Sequence, residues 1–443
     1  MRKLSYIILF LFPSLTEGQS TRFKFDFGSG KTAPGYIRIT PEAMFNYDIG
    51  YGFEQGSSVE SVERGGDALK GDFITSSKPF YFSVRLPDGN YDVKLLLGDL
   101  KGNSATTVRT ECRRLMLENI QTAKGMIVEQ TFTVHVKDSL IRDAQGNAIS
   151  KVRLKPREVS YRHWDNLLTI EFNDSLPKVC AVEITPNKTA TTIFLAGNST
   201  VVDQDREPWA AWGQMFPRFL IPSRAVVANY AESGETLKAF KGERRLEKIW
   251  SLAKPGDYLF IEFAHNDQKP GGSHLDPFTT YKETLKEWIT EAGKRKMIPI
   301  LVTSMHRRNF DSSGHIINTL SDYPEAMRQT AKEENVILID LNAMSKTLYE
   351  SWGPARSVKA FVHYPANSFP NQKEELKDNT HFNPYGAYEL AECIVSSIKK
   401  QNLPLARFTR KEVTLFDPAK PLAIEKFYWP QSSFVSSVKP DGN

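Results

Sequence analysis

The chain has 443 residues, and at roughly 150 residues per domain this length predicts two or three domains with sizeable cores. Hydrophobic residues make up 40% of it and charged residues 25%, a composition that excludes disordered, collagen-like and polytopic membrane proteins. The 57 Lys and Arg residues against 52 Asp and Glu residues give a formal net charge of +5, spread along the chain. This even distribution argues against nucleic acid as a partner and is compatible with an acidic polysaccharide or small molecule.

The first 20 residues are typical of a secretory signal peptide. Arg2 and Lys3 precede an apolar run over residues 4–15, and small or polar residues follow it. The apolar run is too short to span a membrane, and no second long apolar run follows. We therefore expect an exported protein, secreted or periplasmic, with no membrane span.

Residues 21–187 consist of short alternating strands separated by turn residues. Hardly any segment has helical periodicity, and Pro87-Asp88-Gly89 marks a turn between two of the strands. Clear examples of such strands lie at 23–27, 80–86, 91–97, 131–136 and 168–172. The pattern predicts a β-sandwich of about 165 residues, the size expected of a jelly roll.

In residues 188–402, apolar strand-like runs alternate with amphipathic helical stretches. This order is typical of a parallel sheet covered by helices on both faces. The predicted strands are 192–196, 225–229, 258–263, 298–303 and 336–341, and the clearest helices are 281–297, 323–334 and 384–400. Asn383 and Pro384 supply a cap and a first turn for the last helix. Residues 403–443 carry several Pro residues and are predicted to form an irregular extension packed back on the body.

The residue types that most often bind metals are not arranged as a metal site. The eight His residues form no His-Glu-x-x-His pair, and Cys112, Cys180 and Cys393 share no ligand spacing. We expect neither a metal nor an organic cofactor.

A candidate nucleophile follows the first strand of the predicted parallel sheet. Strand 192–196 leads directly into Gly197-Asn198-Ser199, at the edge where open α/β sheets bind their ligands. The small Gly197 permits a tight turn that exposes the hydroxyl of Ser199. Serine after glycine is also common in turns and caps, so this motif alone leaves both interpretations open.

A serine nucleophile needs a base, an orienting carboxylate and donors for the oxyanion. Asp378 and His381 stand three positions apart, in a predicted loop before the last helix. The backbone N–H groups of Ser199 and Gly234 and the amide of Asn266 follow three predicted strands and can donate to an oxyanion. Taken singly, each is also explained as a turn cap, a surface His, a loop Gly or a turn Asn.

In combination these segments resemble the four sequence blocks of SGNH (GDSL-type) hydrolases. The blocks are Gly197-Asn198-Ser199, Gly234, His265-Asn266-Asp267 and Asp378-Asn379-Thr380-His381, and the phrases Glu207-Pro208-Trp209 and Trp212-Gly213-Gln214-Met215 resemble the rhamnogalacturonan acetylesterase branch. The resemblance covers about residues 192–400. It implies an α/β three-layer domain with a flavodoxin-like parallel sheet.

The resemblance also implies the roles of the site residues. Ser199 resembles the nucleophile, His381 the base and Asp378 its orienting partner, while Ser199, Gly234 and Asn266 resemble the oxyanion hole. The sequence departs from the family at Asn198, where Asp is usual, and at Ala264, where Gly is usual. Asparagine keeps the size and hydrogen-bonding capacity of aspartate but loses its charge, so we expect the turn to survive.

The front half resembles the galactose-binding-like β-sandwich modules that accompany such esterases. The resemblance lies in residues 23–30 and 167–184. It implies a carbohydrate-binding module, although a shared fold alone does not establish sugar binding.

Basic and aromatic residues near the predicted site are candidates for substrate binding. His306, Arg307 and Arg308 follow strand 298–303, and Arg side chains pair well with the uronate groups of a pectic chain. A solvated pair of surface arginines is the alternative. Trp209 is either a platform for a sugar or a core residue.

The sequence thus predicts a multidomain protein: a signal peptide (1–20), a β-sandwich (21–187), an SGNH esterase domain (188–402) and an extension (403–443). The predicted function is a secreted carbohydrate esterase that removes acetyl groups from an acetylated pectic polysaccharide by a Ser-His-Asp acyl-enzyme mechanism. One alternative is a lipase-like or thioesterase-like SGNH hydrolase. Another is a non-catalytic glycan-binding protein in which Asn198 marks a degenerate site.

Overall fold

The computed structural model describes residues 21–440. The predicted signal peptide lies outside the described residues, as do residues 441–443. Among residues 21–440, no helix combines the length and the apolar character needed to cross a bilayer.

The N-terminal part of the chain is a sandwich of two β-sheets. One sheet has the order β10-β7-β14-β1-β2, with β5 on β14 and β4 on β5; the other has the order β3-β6-β13-β8-β9, and β11 and β12 form a separate hairpin. The strands are β1 (Phe23–Phe27), β2 (Ile37–Ile39), β3 (Tyr51–Phe53), β4 (Glu60–Glu63), β5 (Asp72–Thr75), β6 (Phe80–Arg85), β7 (Gly89–Asp99), β8 (Ser104–Thr110), β9 (Arg114–Thr122), β10 (Met126–Val136), β11 (Leu140–Arg142), β12 (Ala148–Lys151), β13 (Leu167–Leu176) and β14 (Lys178–Pro186).

Alternation of apolar and polar residues explains the sandwich core. Along β7, Tyr91, Val93, Leu95 and Leu97 are buried, whereas the residues between them are only partly buried. These four side chains belong to the same core as a cluster of phenylalanines from both sheets, formed by Phe25, Phe27, Phe53, Phe80 and Phe82. The predicted β-sandwich is confirmed.

A five-stranded parallel sheet with helices on both faces follows the sandwich. Its order is β16-β15-β17-β18-β19. The elements are β15 (Thr191–Gly197), α1 (Trp212–Met215), β16 (Ala225–Asn229), α2 (Leu237–Gly242), α3 (Arg245–Leu252), β17 (Tyr258–Glu262), α4 (Lys282–Lys294), β18 (Ile298–Val302), α5 (Tyr323–Glu333), β19 (Ile337–Ile339), α6 (Leu341–Ser357), β20 (Phe361–Tyr364), β21 (Leu376–Phe382) and α7 (Pro384–Lys400).

The central strand β15 shows why this sheet is apolar throughout. Ile193 and Leu195 pack into one core with α1, α6 and α7, and Phe194 and Ala196 pack into the other with α2 to α5. The strand order reverses at β15, whose neighbours are β16 and β17. A crevice at such a switch point, outside the carboxyl ends of the strands, is where this class of sheet binds ligands.

The structure corrects three sequence predictions about elements. Strand β19 ends at Ile339, two residues before the predicted end, because Asp340 caps α6 by accepting a hydrogen bond from the N–H of Ala343 at 3.2 Å. Helix α4 follows a π-helical turn at Pro277–Tyr281 and ends at Lys294, three residues before the predicted end at residue 297. The segment that holds Asp378 and His381 is not a loop but strand β21, which forms an antiparallel hairpin with β20.

The last helix has the predicted bounds and cap. Helix α7 begins at Pro384, and the side chain of Asn383 accepts a hydrogen bond from the N–H of Gly386 at 3.2 Å. Residues 403–440 contain two short 3₁₀ turns and isolated β-bridges at Thr409 and Val435, and Phe427 and Trp429 pack against the main core of the parallel-sheet domain.

Candidate active site

The tight turn after β15 places Ser199 at the carboxyl edge of the sheet. Gly197 is required there because a Cβ atom would lie 2.5 Å from Cγ2 of Val201. The side chain of Asn198 closes the turn: its Oδ1 accepts hydrogen bonds from the N–H of Thr200 at 3.1 Å and from its hydroxyl at 2.8 Å. The amide oxygen of Asn198 therefore accepts the hydrogen bonds that a carboxylate oxygen would accept at this position.

Ser199, His381 and Asp378 form one hydrogen-bonded relay, although 182 residues separate the first two in sequence. The distance from Nε2 of His381 to Oγ of Ser199 is 2.9 Å, and that from Nδ1 to Oδ2 of Asp378 is 2.8 Å. All three side chains are buried. The structure brings together the three residues that the sequence analysis selected.

The surroundings of Asp378 keep its carboxyl group ionised. Burial alone would raise its pKa, but the hydrogen bonds from the imidazole and N–H of His381 and from the N–H of Thr380 outweigh burial and hold the pKa well below its usual range. An ionised Asp378 favours the proton on Nδ1 of His381. Nε2 is then the acceptor that faces the hydroxyl of Ser199, as a general base requires.

Two further groups follow β16 and β17, the two strands that neighbour β15. Gly234 follows β16 and has a φ of +80°, a conformation that favours glycine, and Asn266 follows β17. One N–H of the Asn266 amide donates to the carbonyl of Glu235 at 3.0 Å, which leaves a second N–H for another acceptor. Within residues 21–440 the backbone N–H groups of Ser199 and Gly234 donate to no protein acceptor.

The structure does not support His306 and Arg308 as free cationic contacts for a substrate. His306 is buried, and burial lowers its pKa to about 4, so its imidazole is neutral at physiological pH. The guanidinium of Arg308 donates to the hydroxyl of Ser357, the amide oxygen of Asn379 and the carbonyl of Pro354 at 2.5–3.1 Å. Arg308 therefore links its own loop to the end of α6 and to β21.

Arg307 and Trp209 are also held by protein contacts. Arg307 donates to the carbonyl of Thr319 at 3.1 Å and to that of His265 at 3.3 Å. The Trp209 ring lies edge-on to the His381 imidazole at a centroid distance of 5.6 Å, and only 3% of the residue is exposed. Trp209 therefore packs against the base and presents almost no ring surface to a sugar.

A buried carboxyl group that was not predicted from the sequence lies beneath the nucleophile turn. Glu262 pairs with Gly197 across β15 and β17, accepts hydrogen bonds from Trp212 at 2.7 Å and from Thr200 at 3.0 Å, and is fully buried. Burial raises its pKa to about 8. A glutamate inside an otherwise apolar strand was the signal for it in the sequence.

Another missed contact comes from the C-terminal extension. Nζ of Lys439 lies 3.4 Å from Oδ2 of Asp378, the oxygen that also binds His381. No sequence pattern links this residue to the site.

The only group of metal-binding side chains within residues 21–440 is a salt-bridge cluster. Glu158, His163 and Glu232 bring candidate ligand atoms within 4.8 Å of one another. Both oxygens of Glu158 accept hydrogen bonds from Arg245, and Glu232 is paired with Arg157 at 2.8 Å. Two guanidinium groups already balance the carboxylates, so the donor set does not favour an added cation.

Comparisons with known proteins agree with this geometry. Residues 23–141 match the model of the β-agarase/YXIM esterase-like, galactose-binding domain-like family, and residues 195–387 match that of the GDSL-like lipase/acylhydrolase family. Rhamnogalacturonan acetylesterase RhgT of Bacillus subtilis (strain 168) is 42% identical over 215 residues, which cover 48% of this chain and 91% of that protein.

Two comparisons extend over both domains. The uncharacterized esterase YxiM of Bacillus subtilis (strain 168) is 27% identical over 395 residues, 86% of this chain and 91% of that protein. A crystal structure of YxiM from Bacillus subtilis aligns with a TM-score of 0.45 and 26% identity, over 86% of this chain and 99% of that one. The chain belongs to the GDSL-like lipase/acylhydrolase family and is a carboxylic ester hydrolase with an N-terminal galactose-binding-like domain.

Proposed function

We propose that this protein is a secreted carbohydrate esterase that removes acetyl groups from a pectic polysaccharide of the rhamnogalacturonan type. The observation that carries the chemistry is the relay from Asp378 through His381 to Ser199, with both hydrogen bonds at 2.8–2.9 Å. The substrate class is supported by the 42% identity to a rhamnogalacturonan acetylesterase.

In the proposed reaction, Oγ of Ser199 attacks the acetyl carbonyl carbon while Nε2 of His381 takes the hydroxyl proton. The N–H groups of Ser199 and Gly234 and the side chain of Asn266 donate to the oxygen that becomes negative. As the bond between the acetyl carbon and the sugar oxygen breaks, His381 gives the proton to this oxygen, and the sugar leaves with a free hydroxyl. Water attacks the acetyl-enzyme by the same route and releases acetate.

The position of Asn198 favours an active site over a degenerate one. Its oxygen accepts both hydrogen bonds of the nucleophile turn, and Ser199 remains bonded to His381. The loss of the charge that is usual at this position therefore leaves the geometry of the relay intact.

Acetate release from purified protein tests the proposal. Acetylated rhamnogalacturonan, acetylated homogalacturonan and acetylated xylan would be compared with p-nitrophenyl esters of increasing chain length. We expect the highest kcat/KM on acetylated rhamnogalacturonan. A preference for long acyl chains would indicate a lipase instead, and glycan binding without acetate release would indicate a binding protein.

Two serine variants separate the nucleophile from general effects of substitution. Ser199→Ala should lower acetate release by more than about 10³-fold with unchanged folding. Ser396→Ala is the matched control, because Ser396 is a buried serine on α7 whose hydroxyl bonds the carbonyl of Phe416. This control should retain wild-type activity, and retention of activity by Ser199→Ala would contradict the mechanism.

A further inference from the structure

The loop after β16 is held by cations from the other domain. Residues 232–235 form this loop, and the glutamates at its two ends, Glu232 and Glu235, are both almost fully buried. Lys155 and Arg157 reach it from the sandwich domain, from the short 3₁₀ turn Pro156–Ser160 and the residue before it. Arg157 pairs with Glu232 at 2.8 Å, and Lys155 pairs with Glu235.

Both cations also bind one particular peptide group. The carbonyl oxygen of Ser233 accepts a hydrogen bond from Nζ of Lys155 at 2.7 Å and one from Arg157 at 2.8 Å. This carbonyl belongs to the same peptide unit as the N–H of Gly234. A trans peptide is planar, so its C=O and N–H point in opposite directions, and fixing the oxygen fixes the direction of the N–H.

Two charged donors on one carbonyl have a second effect. They polarise the peptide group and thereby make its N–H a better donor. Ser233 is buried, and the side chains of Lys155 and Arg157 are only 21% and 27% exposed, so water screens these hydrogen bonds less than it would at an open surface. The N–H of Gly234 donates to no protein acceptor within residues 21–440 and is available to a ligand.

The turn that carries the two cations is itself fixed. Glu158 accepts hydrogen bonds from Arg245 of α3 and from Trp164 at 3.0 Å, and its carboxylate also closes the turn at the N–H of Lys155. Lys155 and Arg157 are therefore presented from an anchored backbone.

We propose that Lys155 and Arg157 of the sandwich domain are positioning residues for ester hydrolysis, because they orient and polarise the Ser233–Gly234 peptide whose N–H binds the oxyanion. The inference rests on the proposed role of Gly234 as an oxyanion donor. If Lys155 and Arg157 act in this way, the sandwich domain contributes directly to catalysis, independently of any glycan that it binds.

A second contact of the same domain supports this inference. Arg113, in the turn between β8 and β9, donates to the carbonyls of Gln204 at 2.9 Å and Trp209 at 2.6 Å. The side chain of Gln204 in turn donates to the carbonyl of Ser199 at 2.8 Å. The sandwich thus supports the nucleophile loop as well as the loop of Gly234.

The test uses the full chain and p-nitrophenyl acetate, a substrate without a sugar, so that glycan binding cannot contribute. In the double variant Lys155→Met/Arg157→Met we expect kcat to fall about 10- to 100-fold, since removing one oxyanion donor costs about 10²- to 10³-fold. KM should stay within about twofold, because the donors act mainly on the transition state. Inhibition by a small alkylboronic acid, which forms a tetrahedral adduct, should weaken by the same factor as kcat.

Conservative and control variants separate positioning from stability. Lys155→Arg and Arg157→Lys keep a charged donor and should restore most of kcat. Lys248→Met removes a different buried contact between the domains, in which Lys248 pairs with Asp88 and Asp138. This control should lower the unfolding midpoint without lowering kcat.

The outcomes distinguish failure of this inference from failure of the proposed mechanism. If the double variant loses stability but keeps kcat, as expected of Lys248→Met, the cations only hold the domains together and the inference is wrong. If the double variant does not fold, the kcat values of Lys155→Met and Arg157→Met alone decide by the same criterion. Should Ser199→Ala itself keep its activity on p-nitrophenyl acetate, the nucleophile assignment fails instead.

Discussion

The buried carboxyl group of Glu262 makes the stability of this protein depend on pH. The residue lies at the end of β17, directly beneath the nucleophile turn, and its hydrogen-bond donors include the neutral groups of Trp212 and Thr200. Burial raises its pKa from the usual 4.5 to about 8. Glu262 is therefore protonated in the folded protein at neutral pH, whereas it is ionised in the unfolded chain.

The sign and size of the effect follow from this difference. Between pH 4.5 and pH 8 the unfolded chain releases a proton that the folded protein keeps, so the stability present at low pH is lost as the pH rises through this range. Each pH unit within it changes the free energy of unfolding by up to about 1.4 kcal/mol. We expect Glu262 to account for a loss of about 3 kcal/mol between pH 5 and pH 8.

The substitution Glu262→Gln measures this contribution, because glutamine keeps an acceptor oxygen and is neutral at every pH. Urea unfolding at several pH values between 5 and 8 gives the free energy of unfolding of each protein. The wild type should lose about 3 kcal/mol more than the variant over this range. Glu247→Gln, at a glutamate whose side chain is 49% exposed, should follow the wild-type profile. Parallel profiles for wild type and Glu262→Gln would show that Glu262 is ionised in the folded protein, and the reasoning would be refuted.

Three further substitutions test the site. Asp378→Asn should lower kcat on p-nitrophenyl acetate by about 10⁴-fold, because asparagine no longer favours the required tautomer of His381; a loss below tenfold would mean that Asp378 does not orient the base. Asn198→Asp should leave kcat within about tenfold of wild type and lower the unfolding midpoint, because it keeps the acceptor for Thr200 but buries a charge; a gain above 100-fold would show that the amide impairs the site. Arg308→Ala should leave KM for acetylated rhamnogalacturonan within about twofold and lower the unfolding midpoint, since its guanidinium binds protein groups; a large rise in KM would restore its predicted role in substrate binding.

The parallel sheet could be predicted because its signal is local. Strands β16 and β17 are continuous apolar runs, and α7 carries a cap, a first-turn proline and one apolar face. Strand β21 has no such signal: its residues are mostly polar, and only pairing with β20 makes it a strand. Tertiary contacts outweigh local preference there.

The relay could be predicted, but the groups that support it could not. Ser199, Asp378 and His381 can be recognised in the sequence by their residue types and their order. A serine nucleophile needs a hydrogen-bonded base, and the base needs a carboxylate, so their contacts could be predicted as well. Whether a long cationic side chain is solvated or buried depends on what folds against it. Nothing in the sequence distinguishes the environment of Arg308 from that of Arg157. In the structure Arg308 binds Ser357 and Pro354, whereas Arg157 binds the carbonyl beside Gly234.

The interface between the domains is built from opposite charges placed where water cannot screen them. Arg114 of the sandwich binds Asp203 of the parallel-sheet domain at 2.5 Å, and both side chains are 1% exposed. With the domains joined, replacing either partner alone would leave the other charge buried without a counter-charge, which costs several kcal/mol. Exposed binding modules on flexible linkers have no need of contacts of this kind. Other cations of the sandwich, Arg113, Lys155 and Arg157, bind the loops beside Ser199 and Gly234, so in our proposal the contacts that join the domains also orient the groups that hydrolyse the ester.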